Sequence, residues 1–260
     1  MPAMDYDRVA HLYDAYVQSE FDLAFFLEEA KRARGPVLEL MCGTGRVSLP
    51  LLEAGIDLTC VDSSARMLEV LRGKLREREL PARVIEADVC ALSLGRQFEL
   101  IFIPFHSFAE IVDPAQQRRA LDAIGAHLSP TGRFICTLHN PPVRLLGVTG
   151  DRHKLGEFPL PDGNLLTLSS VEKYDPASGC VDGIQFYEIR SWEGASLAGM
   201  DVDVHFRLLS YSEFQSLAEA AGLVPVRVYG DYSRVSFEPD KSPVMIWILR
   251  GKVPQGGQDD

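Results

Sequence analysis

The sequence predicts a doubly wound α/β fold: a mostly parallel sheet with helices on both faces and an antiparallel β insertion before the last helix. Three observations predict it. Short apolar runs alternate with helical patterns through the first half of the chain, which argues for parallel strands joined by crossover helices. The apolar run Val37–Leu40 leads straight into Gly43 and Gly45, as strands do when the next loop hugs a ligand. After Asn140 the pattern changes to longer β-rich runs, broken by the turn signal Asp175-Pro176-Ala177-Ser178-Gly179.

Residues 5–34 read as helix, with Phe21, Phe25, Phe26 and Leu27 as the apolar face and Gly35-Pro36 as the stop. Val37–Leu40 is a short buried strand. Residues 46–54 are helical up to Gly55, a good C-terminal cap, although Pro50 weakens the first turns. A strand over 56–61 leads to a helix over 65–79 with Leu68, Leu71 and Leu75 on one face. Arg83–Glu86 and Phe98–Ile103 are further strands. A helix over 116–128 then ends at Pro130-Thr131-Gly132, which turns the chain into a strand over 133–138. Ligands of such sheets bind beyond the carboxyl ends of the strands, near the switch in strand order.

The later half reads as β-rich runs over 164–174 and 181–192 and an alternating strand over 202–209. Ser210-Tyr211-Ser212-Glu213 is a capping box that opens a helix to Ala221, closed by Gly222. Strands near 224–229 and 244–249 finish the sheet. The core is thus residues 1–142 and 210–250, with 1–34 as an N-terminal helical cap. Residues 143–209 form the insertion, suited to a substrate lid, a homodimer surface or a plain extension of the packing, and 251–260 form a polar tail.

The formal net charge of -11 repels phosphate backbones and anionic membranes, so polymeric nucleic acid starts at a disadvantage as a substrate. The 5 cysteines are scattered and contain no Cys-x-x-Cys pair, which argues against a zinc cluster or a disulfide framework, and no metal is expected. The first residues lack the pattern of a signal peptide, and no apolar run approaches the roughly 20 residues that cross a bilayer. A soluble cytoplasmic protein without a membrane partner is expected.

Gly43-Thr44-Gly45-Arg46-Val47-Ser48 nearly fits the dinucleotide fingerprint Gly-x-Gly-x-x-Gly/Ala, with Ser48 as the departure. Alone, that loop does not choose its cofactor. Acids at three successive strand ends say more. Glu39 is awkward beside a pyrophosphate and suits an ammonium or sulfonium charge. Asp62 suits a ribose diol, which both cofactor classes carry. Asp88 is placed to accept from an adenine amino group.

These residues carry a resemblance. Glu39-Leu40-Met41-Cys42-Gly43-Thr44-Gly45 resembles the first motif of class I S-adenosylmethionine-dependent methyltransferases, E/D-x-G-x-G-x-G. Asp62-Ser63-Ser64-Ala65-Arg66-Met67-Leu68 resembles the motif after their second strand, and Glu86-Ala87-Asp88 their adenine-contacting motif. Phe98-Glu99-Leu100-Ile101-Phe102-Ile103-Pro104-Phe105 resembles their fourth strand and active-site edge, and the 130–132 turn their entry to the fifth. The matches run in order over roughly residues 5–140, and the 210–250 stretch fits the last helix and antiparallel edge.

The resemblance implies a seven-stranded Rossmann-like sheet and S-adenosyl-L-methionine as cofactor. It implies that Gly43 and Gly45 let the backbone approach the methionine part, and Glu39, Met41, Ser63, Pro104 and Phe105 are further cofactor-binding candidates. It further implies Asp62 at the ribose, Met67 beside the adenine ring, and Asp88 with the Val89 amide on the adenine edge. Tyr6-Asp7-Arg8-Val9-Ala10-His11-Leu12-Tyr13-Asp14 is similar to an N-terminal segment of many members, which makes Tyr13 the candidate to cover the methionine end. Met41 stands where the motif has glycine. It keeps the loop if its backbone stays in an ordinary region and its side chain turns toward the core.

Methyl transfer from a sulfonium is an in-line displacement in which charge disappears, so alignment and exclusion of water dominate. An amine must also lose a proton, and a hydroxyl needs a base. His106 and His139, at the ends of the fourth and fifth strands, are the candidate catalytic residues, with an unperturbed pKa suited to neutral pH. Arg207, Trp192 and Tyr187 of the insertion are candidates to shape the substrate pocket, and packing explains them equally well.

Leu138-His139-Asn140-Pro141-Pro142-Val143 is similar to the Asn-Pro-Pro-aromatic motif of nucleic-acid and glutamine amino-methyltransferases. It follows the fifth strand rather than the fourth and lacks the aromatic, so base flipping is not expected. The arrangement resembles small-molecule and peptide-amine N-methyltransferases, with a small molecule as substrate and N-methylation preferred over O-methylation. A nicotinamide-dependent oxidoreductase and a non-catalytic relative are the alternatives.

Overall fold

Val37–Leu40 (β1) is buried at every position, as a strand covered on both faces must be. Leu58–Asp62 (β2) and Phe98–Ile103 (β4) pair with it in parallel, and Arg83–Glu86 (β3) and Leu128–His139 (β5) extend the sheet outward, also in parallel. The computed structural model describes residues 4–252. In it a second, antiparallel sheet follows in the order His153–Pro159 (β6), Leu165–Asp175 (β7), Cys180–Arg190 (β8) and Ser196–Arg207 (β9). Leu223–Tyr229 (β10) and Val244–Gly251 (β11) return to the first sheet, whose order is β10-β11-β5-β4-β1-β2-β3 with β11 antiparallel to both neighbours.

Strand alternation divides the core in two. Leu38, Leu40, Ile101, Ile103, Phe134 and Trp247 face Pro114–His127 (α5) and Tyr211–Ala220 (α7). Val37, Cys60, Leu100, Phe102, Ile135 and Ile248 face Leu23–Arg32 (α2), Ser48–Glu53 (α3) and Ala65–Glu77 (α4). Glu39 shares this second side. Pro50 is the third residue of α3, inside the first turn, where its missing N–H costs no helical bond. The Ser210 capping box forms as expected, and Gly222 takes a left-handed φ of +74° after α7.

Four expectations are corrected. The single helix over 5–34 is two, Tyr6–Tyr16 (α1) and α2, because the intervening chain folds onto Arg46. Arg46 donates to the Ser19 carbonyl at 2.7 Å and to both carboxylate oxygens of the fully buried Asp22. Phe21 therefore leaves the apolar face and is exposed, whereas Phe25 and Phe26 are buried. The turn at 130–132 interrupts one strand rather than preceding it: Leu128 pairs with Phe98 and Arg133 with Leu100, and the residues between bulge out. The edge strand β6 was not foreseen, since Lys154 and Glu157 leave it exposed and without a clean apolar alternation.

The second sheet seats on α1 rather than standing clear of the core: Val9 and Leu12 pack against Leu166, Leu168, Tyr187 and Val202. A short helix, Pro141–Arg144 (α6), joins β5 to it. Gly251, the first residue of the expected polar tail, ends β11, and the tail beyond Lys252 lies outside the described residues. Among the described residues, no helix is long and apolar enough to cross a membrane.

Candidate active site

Three adjoining cavities of about 200, 60 and 30 Å³ lie across the carboxyl ends of β3, β2, β1 and β4. Asp88 and Val89 line the first, Met67 the second, and Glu39, Pro104 and Phe105 the third. Asp62 and Ser63 are shared by the first and second, Tyr13 and Gly43 by the second and third, and Met41 by all three. Together they form one groove. Every groove residue expected from the sequence lines it except Gly45. At Gly45, φ is +86° and a Cβ would meet Leu71 of α4 at 2.3 Å, so this glycine serves helix packing. Gly43, with φ of +55°, has nothing within 4 Å of a Cβ position and presents bare backbone.

Asp62 is fixed by the loop it faces. One oxygen accepts from the Gly43 amide at 2.7 Å and the other from the Ser64 amide at 2.9 Å. Burial nevertheless raises its pKa above the usual carboxylate value, outweighing the backbone donors. Asp88 accepts from the Cys90 amide at 2.8 Å and so caps a 3-10 turn over Val89–Ala91. Glu39 is 1% exposed and accepts from Ser48 Oγ at 2.5 Å. Burial, with the Cys60 thiol beside it, holds its pKa well above the carboxylate range against the opposing pull of Ser48 and Arg46. Ser48, the departure from the dinucleotide fingerprint, is thus the partner of the buried acid.

Met41 overturns one expectation. Its φ is +57°, so the residue adopts the left-handed backbone of the glycine it stands in for. A non-glycine residue there costs roughly 1–2 kcal/mol. Its half-buried side chain packs against the core and also borders the groove along its length.

The Tyr-Asp pairs at 6–7 and 13–14 stand two turns apart on α1 and share a face. The aspartates fasten the helix: Asp7 accepts from Ser64 Oγ at 2.6 Å, and Asp14 accepts from Thr44 Oγ1 at 2.6 Å and pairs with Lys74. The tyrosines line the space below, their rings edge to face at 6.0 Å.

Beside the groove, a cavity of about 260 Å³ lies under the second sheet. It meets the groove at Met4, Tyr6, Tyr13, Phe105, Ser107 and Glu110, each of which lines both. His106 and His139 line this cavity and not the groove. Their rings stack at 3.9 Å, and His106 Nδ1 is buried without a hydrogen-bond partner. Neither keeps the near-neutral pKa expected of a base: burial, then nearby Arg144, lowers His106 to about 4. Burial, then His106 and Arg144, takes His139 well below its ordinary value. Both rings are neutral near pH 7. Phe105 and His106 hold φ of +56° and +65°, a strained pair that turns the chain from β4 into a 3-10 turn, Ser107–Glu110.

Glu110 was missed by the sequence reading. It accepts from the Tyr6 hydroxyl at 2.5 Å, and burial, the largest cause, raises its pKa to about 7. The available signal was a lone acid in the apolar stretch Phe108-Ala109-Glu110-Ile111 just after β4. Of the insertion candidates, Trp192 is 82% exposed and away from the cavity. Arg207 bonds the Ser178 carbonyl, Gln117 and Glu213, and Tyr187 lies behind Tyr16, their hydroxyls 3.1 Å apart. Asn140 donates to the Pro239 and Ser242 carbonyls at 2.7 and 2.8 Å, so its amide ties β5 to the loop before β11.

A parallel sheet closed by one antiparallel strand, with acids at successive strand ends around a bare-backbone loop, defines an α/β enzyme that binds a nucleoside cofactor. Residues 37–132 match the family described as "Methyltransferase domain". The chain is 30% identical over 240 residues to the glycine/sarcosine N-methyltransferase of Parasynechococcus marenigrum, covering 90% of this chain and 79% of that one. It is 28% identical over 217 residues to the cypemycin N-terminal methyltransferase of a Streptomyces species, covering 82% of each. An S-adenosylmethionine-dependent methyltransferase from Clostridium acetobutylicum shares the fold with a TM-score of 0.80 at 18% identity, over 95% of this chain and 99% of that one. The chain belongs to the class I S-adenosylmethionine-dependent methyltransferases, and the nicotinamide and non-catalytic alternatives are set aside.

Proposed function

We propose that the protein N-methylates a small amine bound in the cavity beneath the second sheet. The observation that carries this reading is the meeting of cavity and groove at Glu110, Tyr6 and Tyr13, where a carboxylate and two aromatic rings are placed to receive an ammonium. Both sequence relatives support it, one a glycine/sarcosine N-methyltransferase and the other an N-terminal methyltransferase.

The acids and bare backbone of the groove fit the cofactor. Asp62 and Ser63 would hold the ribose, Asp88 and the Val89 amide the adenine edge with Met67 beside the ring. Gly43, Glu39, Met41, Pro104, Phe105 and Tyr13 would surround the methionine end. When bound, S-adenosylmethionine supplies an electrophilic methyl group on a sulfonium. The protein then aligns the amine and excludes water, with α1 and the second sheet covering the reacting atoms. His106 and His139 shape the wall of the substrate cavity. A cavity of this size takes a small molecule, and the net charge disfavours polymeric nucleic acid. The reading includes a cytoplasmic location and a homodimer through the exposed edge near Trp192 and Leu197, which sedimentation would reveal as a doubled mass.

Calorimetry with S-adenosylhomocysteine and NADPH tests the cofactor, and only the first should bind. Transfer of labelled methyl from S-adenosylmethionine to a panel of amino sugars, amino acids, peptides and phenols tests the substrate. Labelling confined to phenols would sink the amine reading.

A further inference from the structure

We propose that Glu110 is the group that holds the substrate's ammonium where the cavity meets the cofactor groove and takes up its proton before methyl transfer. This rests on the amine reading above and narrows it to primary or secondary amines that arrive protonated.

Position carries the inference. Two carboxylates line the substrate cavity, Glu110 and Glu172. Glu172 is held by Arg144 at 2.5 Å and does not reach the groove. Glu110 lines both spaces, and its side-chain partner is a neutral hydroxyl, that of Tyr6. Among the described residues no cation pairs with it. A half-buried carboxylate beside tyrosine rings and without a counter-ion is a receptor for a cation.

The chemistry agrees. An ammonium has no lone pair to offer, so one N–H bond must break with its electrons left on nitrogen. The proton joins a Glu110 oxygen, neutralising both partners, and leaves to bulk water when the product departs. The stacked histidines are poor acceptors for it, whereas a carboxyl raised to about 7 is matched to neutral pH. Tyr6 and Tyr13 face Glu110 from α1 and Asp62 faces it from the end of β2, while His106, His139 and the Arg144–Glu172 pair stand around the cavity.

The test uses two cofactor analogues, so no substrate is needed. S-adenosylhomocysteine is uncharged at sulfur, whereas sinefungin carries an amine where the methyl-bearing sulfonium would be. Calorimetry should find sinefungin bound at least about tenfold more tightly by the wild type, as a charge-assisted hydrogen bond implies. Glu110→Gln should lose that preference and keep its affinity for S-adenosylhomocysteine. In the wild type the preference should fall as the pH drops below about 7, a readout that does not depend on how the variant folds. Equal preference in both proteins, or a preference indifferent to pH, overturns the role of Glu110 and leaves the methyltransferase intact. Failure of the wild type to bind either analogue overturns the proposal together with the functional reading beneath it.

Discussion

Asp62 accepts the Gly43 amide at 2.7 Å, so the carboxylate proposed for the ribose also holds the loop proposed for the methionine end. One side chain serves ligand and scaffold, and its removal should be felt in both. Asp62→Ala is expected to weaken S-adenosylhomocysteine by about tenfold to a hundredfold, since a hydrogen bond to a charged group contributes roughly 1.5–3 kcal/mol. Stability without ligand should fall by only about 1 kcal/mol, because burying the carboxylate offsets part of what its bonds contribute. Calorimetry and urea unfolding separate the two, and unchanged affinity would remove Asp62 from the site.

Met41 combines a left-handed backbone with a side chain that borders the whole groove. Met41→Gly should relieve roughly 1–2 kcal/mol of backbone strain and lose a comparable amount of side-chain burial, leaving stability nearly unchanged. Its affinity for S-adenosylhomocysteine should match or exceed the wild type. Met41→Ile, β-branched at the same φ, should be destabilised by more than about 1 kcal/mol in the same unfolding assay. An isoleucine variant as stable as the wild type would contradict the left-handed conformation.

Arg46 closes the loop on its other side by neutralising Asp22, whose side chain is fully buried. Arg46→Ala leaves that carboxylate buried without a partner and should cost about 3–5 kcal/mol. Arg46→Lys keeps the charge but not the two-pronged geometry and should recover only part of the loss. Proteolysis between α1 and α2 should rise in the same order, because Ser19 and Asp22 both anchor that segment to Arg46. Equal protection in all three proteins would show that the segment is held by other contacts.

The sheet was legible because its strands carry apolar runs and its loops carry glycines, signals that act within a few residues. The places of Asp62, Asp88 and Tyr13 along the groove were legible for a related reason, since each stands at a fixed offset from a strand end or within a short motif. The break at 17–22 was not, because it depends on Arg46, more than twenty positions away. Glu110 was hidden in the same way. Its meaning comes from Tyr6, 104 positions earlier, and from the seam between two cavities that only the folded chain creates. The histidines were legible in place but not in chemistry: their position at the carboxyl ends of β4 and β5 held, while stacking and burial removed the basicity expected of them.

Glu110 also imposes a pH dependence on stability whose sign is fixed by its shift. Its pKa rises from the ordinary 4.5 to about 7 in the folded protein, so folding favours the protonated acid. The stabilising contribution is therefore fully present below about 4.5 and is lost as the pH rises through about 7. His106 and His139, lowered by burial, act in the opposite sense, and their contribution is lost as the pH falls below the unfolded histidine value. Those terms are common to the wild type and Glu110→Gln and cancel in the difference between them. Across the window from 4.5 to just above 7, the wild type should lose up to roughly 3 kcal/mol relative to Glu110→Gln. Urea unfolding of both proteins at a series of pH values measures that difference. Parallel profiles would mean that Glu110 titrates as an ordinary surface acid and is not enclosed between the two cavities.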